Sequence, residues 1–203
     1  MKSIFIPVEV TFSANFEKLK KDFMILPKNL AIVYSIQYKS FAEKIKDELS
    51  KKHIVTNFFQ ILGCSNPSNL KKADCILIVG DGKFHAISLA YETKKQVYLL
   101  ERDKLIKIMQ EEVAILEKKR KIAYFNFLNS KKAGVLISTK PGQQRLEKAL
   151  NLKKKLRDKK LYFFISNEIN FKETENFGLN FWINTSCPRM DLDNPKIINI
   201  NKL

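Results

Sequence analysis

The 203-residue chain is poor in glycine and proline, six of each, and has only three cysteines and one tryptophan. No stretch approaches the ~18–20 apolar residues of a membrane span, so no spanning helix is expected. The opening run, Ile4-Phe5-Ile6-Pro7, is too short for the apolar region of a secretory signal. An odd set of cysteines (Cys64, Cys75 and Cys187) without such a signal points to a reducing, cytoplasmic setting, not a disulfide scaffold. There is no short-period repeat or low-complexity tract, no zinc-finger spacing of cysteines and histidines, and no RRM-type basic–aromatic signature. Acidic residues are in deficit: 37 Lys and Arg stand against 21 Asp and Glu, a formal charge of +16. Such an excess suits an acidic partner, but lysines occur along the whole chain, so it is read as a solvated surface and nucleic acid is not favoured.

Short apolar runs alternate with longer amphipathic ones. Ile4–Val10, Leu30–Ile36, Cys75–Val79, Val97–Leu100, Ala133–Ser138, Tyr162–Ile165 and Phe181–Asn184 read as strands. Apolar character on both faces is the mark of a parallel sheet covered by helices. Tyr38–Lys51, Asp103–Asn129 and Pro141–Leu156 read as helices; in the last, Leu146, Leu150 and Leu156 share one side, and Pro141 suits the first turn. The expected fold class is α/β: two small parallel-sheet domains with flanking helices, built from βαβ units. The polar stretch Asn126–Lys132 is the expected seam, giving domains at 1–127 and 128–203.

Ligands of open α/β sheets gather at the carboxyl ends of strands, so the residues following each strand are the candidates. After Thr56–Leu62 comes Gly63-Cys64-Ser65-Asn66-Pro67, where Cys64 is either a functional loop thiol or a partly buried cysteine. After Cys75–Val79 comes Gly80-Asp81-Gly82-Lys83-Phe84-His85. Glycines before a helix suit an anionic group, yet this is neither a dinucleotide fingerprint nor a Walker loop. His85 is either a hydrogen-bonded structural residue or a ligand contact. After Ala133–Ser138, Thr139, Gln143 and Arg145 flank Pro141-Gly142, offering a hydroxyl, an amide and a cation for a carboxylate or phosphate, or simply a helix cap. After Phe181–Asn184 comes Thr185-Ser186-Cys187-Pro188-Arg189-Met190-Asp191, where proline stiffens the loop and arginine favours a thiolate. Cys75 opens an apolar run and reads as a buried thiol.

Ile61–Ser65, Val79–Ala90, Gly134–Arg145 and Trp182–Asp191, in this order and spacing, resemble successive motifs of the diphthamide synthases, the 2-(3-amino-3-carboxypropyl)histidine synthases. The resemblance covers essentially the whole chain. It implies two of that family's three similar α/β domains, the second carrying Cys64 and the third Cys187 as ligands of a shared [4Fe–4S] cluster, with Cys75 matching no ligand position. It further implies S-adenosylmethionine (SAM) as substrate, its 3-amino-3-carboxypropyl group passing as a radical to a histidine of elongation factor 2. Gly80, Asp81, Gly82, His85, Thr139, Gln143 and Arg145 are then the candidate SAM-binding residues. The family's first domain and its cysteine have no counterpart here. A partner chain supplying both is expected unless the sequence begins too late, and a hetero- or homo-oligomer is expected. The alternative is a truncated, non-catalytic relative serving as a basic RNA- or ribosome-binding module.

Overall fold

A computed structural model describes residues 8–12, 14–62, 70–191 and 194–203. The chain divides into two compact units, Met1–Ala114 and Ile115–Leu203, with the boundary inside a helix. Both units are α/β, and each has a mostly or wholly parallel sheet flanked by helices.

The first unit holds β1 (Asn29–Tyr34), β2 (Ile54–Gln60), β3 (Cys75–Val79), β4 (Gln96–Glu101) and β5 (Lys104–Lys107), in the order β2-β1-β3-β4-β5. The first four are parallel; β5 returns antiparallel on β4. Alternate residues of β1 and β3 serve two separate cores, so these strands are apolar throughout. Leu30, Ile32, Cys75, Leu77 and Val79 face α1 (Phe16–Asp22) and α2 (Lys39–Leu49), through Leu19, Phe41, Ile45 and Leu49. Ala31, Val33, Ile76 and Ile78 face α3 (Lys83–Thr93), through Ala86, Leu89 and Ala90.

The second unit repeats the order. β6 (Lys132–Ser138), β7 (Lys160–Ser166), β8 (Trp182–Asn184) and β9 (Ile197–Asn199) run parallel as β7-β6-β8-β9. Ala133, Val135, Ile137 and Ile183 pack under Ala149 and Leu152 of α5 (Leu146–Lys155) and under Phe127 of α4 (Gln110–Asn129). The opposite face is aromatic. Trp182 lies among Phe164, Phe171 and Phe177, with ring centroids at 4.9, 6.5 and 6.2 Å.

Three elements depart from the sequence reading. Asp103–Asn129 is not one helix: its first part is β5, turned back after Arg102 at φ +56°, and α4 starts at Gln110. Pro141 lies in a turn with Gly142 at φ +77°, so α5 begins only at Leu146. That helix buries Ala149 and Leu152, leaving Leu146 and Leu150 on the solvent side. Most of Ile4–Val10 lies outside the described residues, and Val8–Val10 form no strand. No helix among the described residues is long and apolar enough to cross a membrane.

Candidate functional site

Both sheets reverse direction of growth beside their first strand. The chain passes from β1 to β2 on one side and returns to β3 on the other; β6, β7 and β8 do the same. The crevice at such a switch point, outside the carboxyl ends of the strands, is where open α/β sheets bind ligands. Each unit's switch point carries one of the groups of residues singled out from the sequence.

In the first unit the crevice lies between the ends of β1 and β3. Ser35 follows β1 and donates its N–H to the Val79 carbonyl at 3.0 Å. A Cβ at Gly80 would come within 2.7 Å of Ser35 Oγ, so glycine lets the two chain ends close together. Gly82 has φ +74° and caps α3, a conformation that disfavours any side chain. Its N–H donates to Glu101 Oε1 at 2.8 Å. Asp81 accepts a hydrogen bond from the Tyr38 hydroxyl, and burial together with that carboxylate pushes the phenol up to about 12. The glycine loop is therefore lined by two carboxylates of the chain itself. That lining complements hydroxyl and ammonium donors, while the helix start complements a carboxylate. His85 stands half-buried in the first turn of α3, its ring packed on Phe84 at 4.8 Å.

In the second unit the crevice lies between β6 and β8, and it is held by buried polar side chains. Asn184, Thr185, Ser186 and Ser138 are at most 2% exposed. Asn184 Oδ1 accepts from Ser186 N–H at 2.8 Å, and its Nδ2 donates to the Cys187 carbonyl at 2.7 Å. Thr185 donates both N–H and hydroxyl to the Leu136 carbonyl, at 3.1 and 2.8 Å. The Ser138 N–H donates to Ser186 Oγ at 3.1 Å, and Ser138 Oγ accepts from Lys140 N–H at 3.1 Å. Buried hydrogen bonds of this kind are costly to break one at a time. They fix the backbone of Cys187, whose carbonyl also starts the turn Pro188–Asp191 by accepting from Met190. The thiol is free and partly exposed.

Thr139 gives its N–H to Ser166 at 3.0 Å and so ties β6 to β7. Gln143 N–H closes a turn on the Lys140 carbonyl at 3.0 Å, and the Lys140 ammonium meets Glu168 Oε1 at 3.0 Å. Arg145 precedes α5 without capping it through its side chain. Thr139, Gln143, Arg145 and Cys187 thus belong to one edge of one sheet. Cys64 lies outside the described residues. After β2 the Ile61 N–H meets the Tyr34 carbonyl at 2.9 Å, and Ile61 and Leu70 are both buried in the core that faces α3. Cys64 follows the second strand of its unit and Cys187 the third of its own, so they are not equivalent positions of the repeated topology. Among the described residues, no three of His, Cys, Asp and Glu stand together as a metal site.

Cys75 is sealed inside β3, and burial, with Asp74 adding to it, pushes its thiol up to about 12. A thiol held so far above its ordinary range is not a nucleophile at neutral pH. Native protein treated with a disulfide reagent at about pH 8 should carry label on Cys187 but not on Cys75, and unfolding should release Cys75; peptide mass mapping reads both. Label on Cys75 in the native protein would contradict its burial.

The sequence pattern did not reveal Ser35, Tyr38 and Glu101 beside the glycine loop, nor Ser138 and Asn184 beneath Cys187. The available signal was polarity at the carboxyl end of an apolar strand: Asn184-Thr185-Ser186 follow Phe181-Trp182-Ile183 without a break.

Comparison with known proteins gives a consistent result. The family model of the diphthamide synthesis proteins matches residues 1–197. The 2-(3-amino-3-carboxypropyl)histidine synthase of Methanocaldococcus jannaschii is 30% identical, the match covering 95% of this chain and 57% of that protein. That of Pyrococcus horikoshii is 31% identical over 66% of this chain and 40% of the relative. The chain thus spans about half the length of these curated relatives. Among solved structures, Dph2 from Pyrococcus horikoshii with a 4Fe-4S cluster superposes with a TM-score of 0.79 at 22% identity, over 98% of this chain and 66% of that one.

Proposed function

The chain belongs to the diphthamide synthesis protein family, and from that premise we propose that it is a subunit of a [4Fe–4S]- and SAM-dependent enzyme. The enzyme transfers a 3-amino-3-carboxypropyl group to a histidine of elongation factor 2. The observation that carries the reading is the contrast between two cysteines: Cys187 is a free thiol on an anchored loop at the carboxyl edge of its sheet, and Cys75 is walled into a strand.

Cluster irons take thiolate ligands, and a thiol held by its backbone at a strand end fits that need. Cys187 and Cys64 would hold the cluster. Cys75 is committed to the core, so residues 1–203 offer two thiols, and we assign a third ligand to a partner chain. When bound, the cluster would supply an electron for reductive cleavage of the Cγ–S bond of SAM, with methylthioadenosine as the leaving product. The polypeptide's part is orientation. Asp81 and Glu101 accept from the hydroxyl and ammonium groups of SAM, Gly82 has open space where a Cβ would stand and lets it approach the backbone, Gly80 keeps the loop closed on Ser35, and His85 stands beside them in α3. In the second unit, Thr139, Gln143 and Arg145 offer a hydroxyl, an amide and a cation, groups suited to a carboxylate.

The test is anaerobic reconstitution with iron and sulfide, then incubation with SAM and a reductant. Cluster absorbance, bound iron and release of methylthioadenosine are expected once the partner chain is present. A colourless protein that binds no iron, alone or with its partner, would overturn the reading.

A further inference from the structure

The positive charge is concentrated where acidic residues are scarce. Residues 117–160 hold 15 Lys and Arg against 3 Asp and Glu, a net +12. The rest of the chain holds 22 against 18, a net +4, so one segment carries three-quarters of the +16. Lysines are indeed found throughout; their counter-charges are not. A solvated surface ordinarily mixes both signs, and this segment does not.

The fold gathers part of this segment at one edge. Lys132 and Lys160 open β6 and β7 and lie in register as neighbours. The backbone N–H of Lys160 donates to the Lys131 carbonyl at 2.8 Å. The last turn of α5 carries Lys153, Lys154 and Lys155, and Arg157 follows in the turn that leads into β7. All these cations are exposed, and Asp158 is the acid among them. Lys159, by contrast, is turned inward: its ammonium donates to the Leu128 and Ser130 carbonyls at 3.2 and 2.8 Å and lies over the Phe127 ring. It fixes the end of α4 against the start of β7, which makes the edge rigid. The Lys160 ammonium stands 5.3 Å from the ring centroid of half-buried Tyr162. This edge is the amino end of the sheet; Cys187 follows the carboxyl end of β8. The seven residues of β6 separate the two by roughly 20 Å.

We propose that the amino edge of the second unit's sheet is a nucleic-acid binding surface that reads the phosphate backbone. Lysines act there as point charges toward phosphates, without the fork geometry that reads bases. A lipid surface fits less well. A helix lying on a membrane directs its apolar face into the lipid, whereas α5 buries Ala149 and Leu152 against its own sheet and its cations share the edge with strand starts.

The test uses the full chain, fluorescence anisotropy, and an RNA duplex and a DNA duplex of the same sequence. If four to six phosphates are engaged, affinity falls roughly 10²–10³-fold between about 50 and 200 mM salt. A variant with Lys131→Gln, Lys154→Gln and Arg157→Gln should bind at least tenfold more weakly, with a flatter salt dependence by about 3 in slope. A second variant, Lys39→Gln, Lys44→Gln and Lys52→Gln, removes three exposed cations from the first unit and should bind as the parent does. Equal binding of both duplexes supports backbone reading, and tighter RNA binding additionally assigns the ligand. The proposal is overturned if the two variants weaken binding alike, if neither duplex binds in a salt-dependent way, or if anionic vesicles bind and the duplexes do not.

Discussion

Gly134→Ala is expected to lower the thermal midpoint of the second unit by roughly 12–24 °C, the equivalent of about 3 kcal/mol in a domain of this size. A Cβ at Gly134 would fall 2.2 Å from Cε3 and Cζ3 of Trp182 on the paired strand. No Cβ survives that distance, so the ring or the strand must shift. The ring has nowhere to go, because Phe164, Phe171 and Phe177 stand around it and it is 2% exposed. The neighbours in the chain are no softer, since Val135 and Ala133 are fully buried on the opposite face. Trp182 is the single tryptophan, so its fluorescence follows this unit during the melt. A Gly134→Ala,Trp182→Phe pair separates the clash from a general loss of packing. With room restored, the double variant should be more stable than the sum of the two single costs. A midpoint unchanged by Gly134→Ala would mean that the ring does not rest on this glycine.

That contact also shows where reading the sequence stops. Gly134 was legible as part of a strand, but the reason for a glycine lies 48 residues away. β3 was readable to the residue, because five apolar side chains stand between Asp74 and Gly80 and both faces of the strand are covered. β5 was not: Lys104-Leu105-Ile106-Lys107 is short and flanked by charge, and it becomes a strand by pairing with Tyr98–Glu101. β9 has three residues and depends likewise on β8. In α5 the leucine spacing suggested one face, and docking on β6 selected the side bearing Ala149 and Leu152. At the site, the glycines and Cys187 were visible because turn-formers follow apolar runs. Their supports were hidden, since Ser138 meets Ser186, Thr185 meets Leu136 and Asp81 meets Tyr38 across 43 to 49 positions. Local pattern names a candidate residue more readily than the residues that hold it.

Cys187→Ala and Cys75→Ala are expected to fail in opposite ways. Among the described residues, the hydrogen bonds that hold residue 187 reach its carbonyl, from Asn184 Nδ2 and Met190 N–H, and alanine keeps that carbonyl. The residue is partly exposed and belongs to none of the buried apolar clusters of the described residues. Cys187→Ala should therefore melt within a few degrees of the parent yet retain little or no iron after anaerobic reconstitution with the proposed partner, because one of the proposed ligands is gone. Methylthioadenosine release should fall with the iron. Cys75 has the reverse character. Its sulfur is buried among Leu30, Leu77 and Tyr98 in the core beneath α2, so truncation to alanine leaves a small void and costs roughly 1 kcal/mol. Its iron content should match the parent's. Stability and iron binding are thus separated between two cysteines of one chain, and neither general misfolding nor non-specific thiol loss produces that crossed pattern. If Cys75→Ala strips the iron while Cys187→Ala holds it, the proposed ligand set is wrong and the buried thiol would have to leave its strand to reach the metal.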